Sequence, residues 1–103
     1  MSKTTHPAER VIAHFCSLYG ISDAQRQKML GPENERSQRL RWLLHVFSTI
    51  DRLTSGHVGD AKTILHFAYP KLDGATLLDA LCGEMGTLRK AHQFVMYDLA
   101  RPK

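Results

Sequence analysis

Long apolar runs are missing from this 103-residue sequence. None approaches the roughly 18 residues that cross a bilayer, and the opening "MSKTTHPAER" is polar throughout, without the apolar core of a secretion signal. The expectation is a cytoplasmic protein. Cysteine is scarce as well: Cys16 and Cys82 stand far apart, without the spacing of a disulfide framework, so a reducing compartment would leave both as free, small packing residues. Strand-like alternation is absent, which removes a sheet from the expected fold. Catalytic signatures are absent too. There is no Gly-rich phosphate loop, no G-x-S-x-G elbow and no H-E-x-x-H helix, so catalysis is not expected. Six histidines invite a metal, yet His14 with Cys16 and His57 with Asp60 match no zinc spacing with four convergent ligands. His14 and Cys16 lie about 200° apart around an ideal helix. His45 and His66 read as polar-edge or partly buried side chains. No metal and no cofactor is expected.

What the sequence does contain is the composition of one globular domain, with 43% hydrophobic and 23% charged residues. A core this small is marginal, so pairing with a second copy or with a partner protein is a reasonable expectation. The net charge of +4 permits an acidic partner. The basic residues are nevertheless spread from Lys3 to Lys103, with one denser run, "ERSQRLR", and a mixed-sign surface explains them equally well.

Helix follows helix along the chain, which predicts an all-α bundle of five to six helices in a single domain. Pro7 suits a first helical turn, and Val11, Ile12, Phe15, Leu18 and Tyr19 recur at helical spacing until Gly20. Ser22 and Gln25 have capping-box spacing and open a short second helix that ends at Gly31-Pro32. Pro32 then serves as the first residue of a long third helix, with Leu40, Leu43, Leu44, Phe47 and Ile50 on one face and Trp42, Val46 and Leu53 widening it. Thr54, Ser55 and Gly56 close that helix, and Asp60 is the expected cap of a fourth, which carries Ala61, Ile64, Leu65 and Phe67.

The densest local signals lie in "YPKLDGATLLDAL", Tyr69 to Leu81. Pro70 stops the fourth helix, Asp73-Gly74 supplies a turn, and Thr76 caps a fifth helix with Asp79 three residues on. Leu72, Leu77, Leu78 and Leu81 anchor both arms, Gly83 ends the fifth helix, and a last helix carries Leu88, Ala91 or His92, Val95 and Leu99 on one side. The segment predicts a rigid chain reversal.

With "RLRWLLHVFSTIDRL", "AKTIL", "YPKLDG" and "ATLLDAL" in this order, the chain from about Arg39 to its end resembles the toxin-binding domain of Xre/MbcA/ParS-type antitoxins. Leu65, Leu72, Gly74, Thr76, Leu78 and Asp79 carry the likeness. Ile64 stands where that family has tryptophan, and Leu77 where it has proline. The resemblance implies two regions, an N-terminal helical part at 1–38 with a shortened helix-turn-helix and an antitoxin-like domain at 39–103. It implies a protein that works by binding a partner toxin, such as one of the NAD-consuming RES type, and covering its cleft. The partner contacts it implies are Tyr69, Lys71 and Asp73 at the corner and Arg101 and Lys103 at the C-terminal end. Tyr69 fits a half-buried packing aromatic as well, and Arg101 and Lys103 a solvated tail.

Members of that family often bind operator DNA and dimerise. Here "ISDAQRQKMLG" resembles the first helix of a helix-turn-helix, but "PENERSQRLRW" runs into the long hydrophobic helix without a break. Arg36, Arg39 and Arg41 are the candidate phosphate contacts, beside Glu33 and Glu35, which would oppose them. A DNA-binding regulator and a dimeric adaptor or inhibitor on the same scaffold are the alternatives to an antitoxin.

Overall fold

The structure is a computed structural model that describes residues 7–100. Its helices are α1 (Pro7–Tyr19), α2 (Asp23–Leu30), α3 (Glu33–Leu53), α4 (Val58–His66), α5 (Leu77–Leu81) and α6 (Met85–Phe94). A 3-10 turn, Pro70–Leu72, joins α4 to α5, and a π-helical turn, Val95–Leu99, extends α6. Among the described residues there is no strand, only one isolated antiparallel bridge between Ala68 and Thr76. The all-α bundle of six helices is the expected fold class.

The third helix is the axis of the bundle. It packs against α1, α2, α4, α6 and the π turn, and Leu40, Leu43, Val46, Phe47 and Ile50 are wholly enclosed or nearly so. Side chains from every other helix complete one shared hydrophobic core, and α3 itself runs without interruption across position 38. Each enclosed Leu, Ile or Phe contributes about 1.5–3 kcal/mol by leaving water, so this seam dominates stability.

Local signals act where they were read. Ser22 and Gln25 form the full capping box on α2, with Ser22 Oγ accepting from Gln25 N at 3.2 Å and Gln25 Oε1 accepting from Ser22 N at 3.1 Å. Two boundaries shift. Pro32 is the extended N-cap of α3 rather than its first helical residue, with Glu33 next. Asp60 does not cap α4: Ser55 and Gly56 both take positive φ, turning the chain so tightly that the helix starts at Val58, with His57 at the N-cap. The buried stripe of α1 is also rotated. It runs through Ala8, Ile12, Cys16 and Tyr19, while Val11 and Leu18 are exposed, because Phe15 and Tyr19 turn toward Phe47 of α3. Phe15 and Phe47 stack at 5.6 Å with their planes 13° apart, and the small side chains of Ala8 and Cys16 belong to the buried face.

Candidate partner-binding surface at the α4–α5 corner

The corner is built from short-range hydrogen bonds. Tyr69 precedes proline and is therefore extended, at φ −107° and ψ 131°. Its carbonyl accepts from both Leu72 N and Gly74 N at 3.0 Å, while its own N–H donates to Ala75 O at 3.1 Å. Asp73 sits in the left-handed region at φ 58°, a conformation that aspartate tolerates better than most residues, and Gly74 follows at φ 82°. Thr76 Oγ1 then accepts from Asp79 N at 3.1 Å and opens α5. Leu72, Leu77, Leu78 and Leu81 are buried beneath. Few backbone groups in this reversal are left to move.

The proposed contact residues at the corner fall into two kinds. Tyr69 is half-buried: its ring lies between Phe67 at 4.9 Å and Phe94 at 4.7 Å, and its hydroxyl donates to Ile64 O at 2.9 Å. Burial pushes its phenol up from the usual range. With ring and hydroxyl both engaged inside the fold, it positions its neighbours. Lys71 and Asp73 face outward and cross to the last helix in two ion pairs. Lys71 Nζ lies 2.7 Å from Asp98 Oδ1, and Lys90 Nζ lies 3.4 Å from Asp73 Oδ2. Such exposed pairs are worth at most about 1 kcal/mol each, so a partner could exchange them for its own charges at little cost.

The same surface contains residues that the sequence reading did not select. Phe67 is 56% exposed and Tyr97 71%, the largest exposures among the big apolar side chains described. A groove of about 270 Å³ runs between Lys71, Lys90, Phe94, Tyr97 and Asp98, and a second of about 310 Å³ adjoins it at Leu72, Asp73 and Lys90. The π turn sets this arrangement. Ala100 N donates to Val95 O at 2.9 Å, five residues back, and the wider turn keeps Val95 in the core while Asp98 reaches Lys71. Exposed aromatics beside charges that are only loosely paired have the composition of an interaction surface. The signal for Tyr97 was its place off the Leu88–Val95–Leu99 stripe.

The arginines behave differently from one another. Arg39 is a correction to the sequence reading: it is 2% exposed and holds the fold together instead of reaching outward. Its Nε donates to Met29 O at 2.6 Å, and its Nη2 to Lys28 O at 3.1 Å, Gly83 O at 2.8 Å and Leu81 O at 3.5 Å. Helix ends leave carbonyls without partners, and one guanidinium here serves the ends of both α2 and α5. Burial lowers its pKa from the ordinary arginine value, and Glu35, at 3.5 Å from Nη1, opposes that shift. Arg36 is half-buried, bonded to Gly31 O at 3.0 Å and Glu9 Oε1 at 3.4 Å. Arg41 alone of the three is exposed. A hollow of about 750 Å³ lies over Arg39, Glu35 and Gly83 and shares Glu84 and Gly86 with the second groove of the corner, and the guanidinium beneath it is already committed. Arg101 and Lys103 lie outside the described residues.

Cys16 and Cys82 are free thiols. Burial pushes Cys16 up to about 11 and raises Cys82 as well, which makes both poor nucleophiles near neutral pH. Among the described residues no three His, Cys, Asp or Glu side chains converge on a metal position, and no helix is long and apolar enough to cross a membrane. Compared with known proteins, the chain matches no family model, and no curated sequence or solved structure is significantly similar to it.

Proposed function

We propose that this chain is an antitoxin-like cytoplasmic protein that neutralises a partner toxin, such as one of the RES type, by binding it through the corner and the adjoining face of α6. The observation that carries the reading is the pairing of a rigid corner with exposed Phe67 and Tyr97 and outward-facing Lys71 and Asp73. Inhibition by such a surface needs shape, a few aromatic anchors and complementary charge, and no catalytic group. The resemblance of the segment from Arg39 onward to antitoxin toxin-binding domains supplies the kind of partner. The DNA-binding alternative loses Arg39 as a phosphate contact and most of the reach of Arg36.

The test is to express the protein with its neighbouring genes and identify what co-purifies at moderate salt. Recovery of a stoichiometric protein whose expression alone stops growth, and whose toxicity this chain relieves, is the expected result. Recovery of the chain alone, or with duplex DNA only, would overturn it. Replacing Phe67 and Tyr97 with alanine should abolish rescue while helicity is retained.

A further inference from the structure

One pair of metal-competent side chains joins two helices away from the corner. His45 projects from the middle of α3 and His92 from α6, and Nδ1 of His45 lies 3.2 Å from Nε2 of His92. The ring centroids are 5.4 Å apart, and Trp42, one turn before His45, stacks on His92 at 5.9 Å. Around α6, His92 is about 200° from Lys90, so the pair faces away from the partner surface. The charged residues within one turn are Arg41 on α3 and Arg89 and Lys90 on α6, in "RWLLHVFST" and "LRKAHQFVM". No carboxylate is among them.

We propose that His45 and His92 form a two-imidazole site for a late first-row transition-metal ion, zinc foremost, which bridges α3 and α6. Zinc holds imidazole nitrogens at about 2.0–2.1 Å, and a tetrahedral shell then sets two of them about 3.3 Å apart. The spacing of 3.2 Å is already within reach of that arrangement. Without the ion, one ring donates an N–H to the facing nitrogen of the other. For the ion to enter, the donor ring passes its proton through solvent to its other nitrogen, both facing nitrogens offer lone pairs, and the net protonation is unchanged. Imidazole ligands select zinc, nickel or copper over magnesium. Since no third ligand joins them among the described residues, the remaining positions face water or a ligand from a second molecule. The site is thus an exchangeable clamp and not a closed structural centre.

Trp42 is the only tryptophan, so its emission reports on this site alone. Tag-free, full-length protein should show saturable, one-to-one quenching by Cu²⁺ or Ni²⁺ at pH 7.5, and none by Mg²⁺. Zinc about a hundredfold above its dissociation constant should raise the melting temperature by about 10 °C or more. His45→Gln and His92→Gln should each weaken binding at least about tenfold with helicity unchanged, while His14→Gln leaves it as it was. On the unaltered protein, substoichiometric Ni²⁺ should broaden the ring resonances of His45 and His92 before those of the other histidines, a readout that does not depend on the variants folding. Binding that ignores both substitutions, broadening spread evenly over all histidines, or no saturation would each overturn the proposal.

Discussion

Arg39 and Lys71 are both cations beside a carboxylate, and the fold treats them in opposite ways. Arg39 is 2% exposed and enclosed by four carbonyl oxygens from the ends of α2 and α5, whereas the side chain of Lys71 is 67% exposed across a single ion pair with Asp98. The difference follows from what surrounds each one. A guanidinium with five donors can satisfy several helix-end carbonyls at once, and losing it would leave them buried and unpaired. An ammonium at the rim touches one carboxylate and remains in water. The one charge closes the fold, and the other remains available.

The sharpest way to break this contrast is Arg39→Ala. It should cost about 3–5 kcal/mol, because the orphaned carbonyls stay buried, and lower the melting temperature by roughly 12 °C or more in thermal circular dichroism. A loss under about 1 kcal/mol would mean that water replaces the guanidinium freely. Gly31→Ala tests the same site from the backbone. Gly31 has φ +65°, and a Cβ there would sit 2.6 Å from Arg39 Cδ, so we predict a loss of about 2–3 kcal/mol in urea unfolding. At the exposed face of the corner, the Phe67→Ala and Tyr97→Ala pair should weaken partner binding by about 2 kcal/mol or more in calorimetry and leave the melting temperature within about 2 °C. Tyr69→Phe removes only the hydrogen bond to Ile64 O and should cost about 1 kcal/mol of stability, with partner affinity nearly unchanged. Lys71→Ala is the mildest. Stability should move by less than about 0.5 kcal/mol, and the effect should appear in the association rate and its salt dependence.

Much of the fold was legible because its determinants are local. The Ser22–Gln25 box, the turn at Asp73-Gly74 and the Thr76 cap each depend on residues within three or four positions, which a sequence displays directly. The role of Arg39 was not legible, since two of its acceptors, Leu81 O and Gly83 O, lie 42 and 44 residues away. The denser basic run around it made it look like a surface residue. His45 and His92 escaped notice as a pair for the same reason, being 47 residues apart on helices that only tertiary packing brings together. Val11 and Leu18 were misplaced because Ala8 and Cys16 carry little apolar signal, although their small size suits the buried face of α1. At the corner, Phe67, Tyr69, Lys71 and Asp73 lie within one short stretch of sequence, but Lys90, Tyr97 and Asp98 join them only when α6 comes alongside.

The π turn at Val95–Leu99 changes what kind of variation this surface tolerates. A π turn holds one residue more than an α-helix of the same span, so it behaves as a built-in insertion in the helical reading frame. Deleting a single residue there, Met96 for instance, would return the segment to ordinary α-helical turns and redirect Tyr97 and Asp98, which lie inside the wide turn. Tyr97 and Asp98 would then swing off the groove together, with no change in composition elsewhere. Substitutions adjust this surface one contact at a time, whereas a change in length would redraw it in one step.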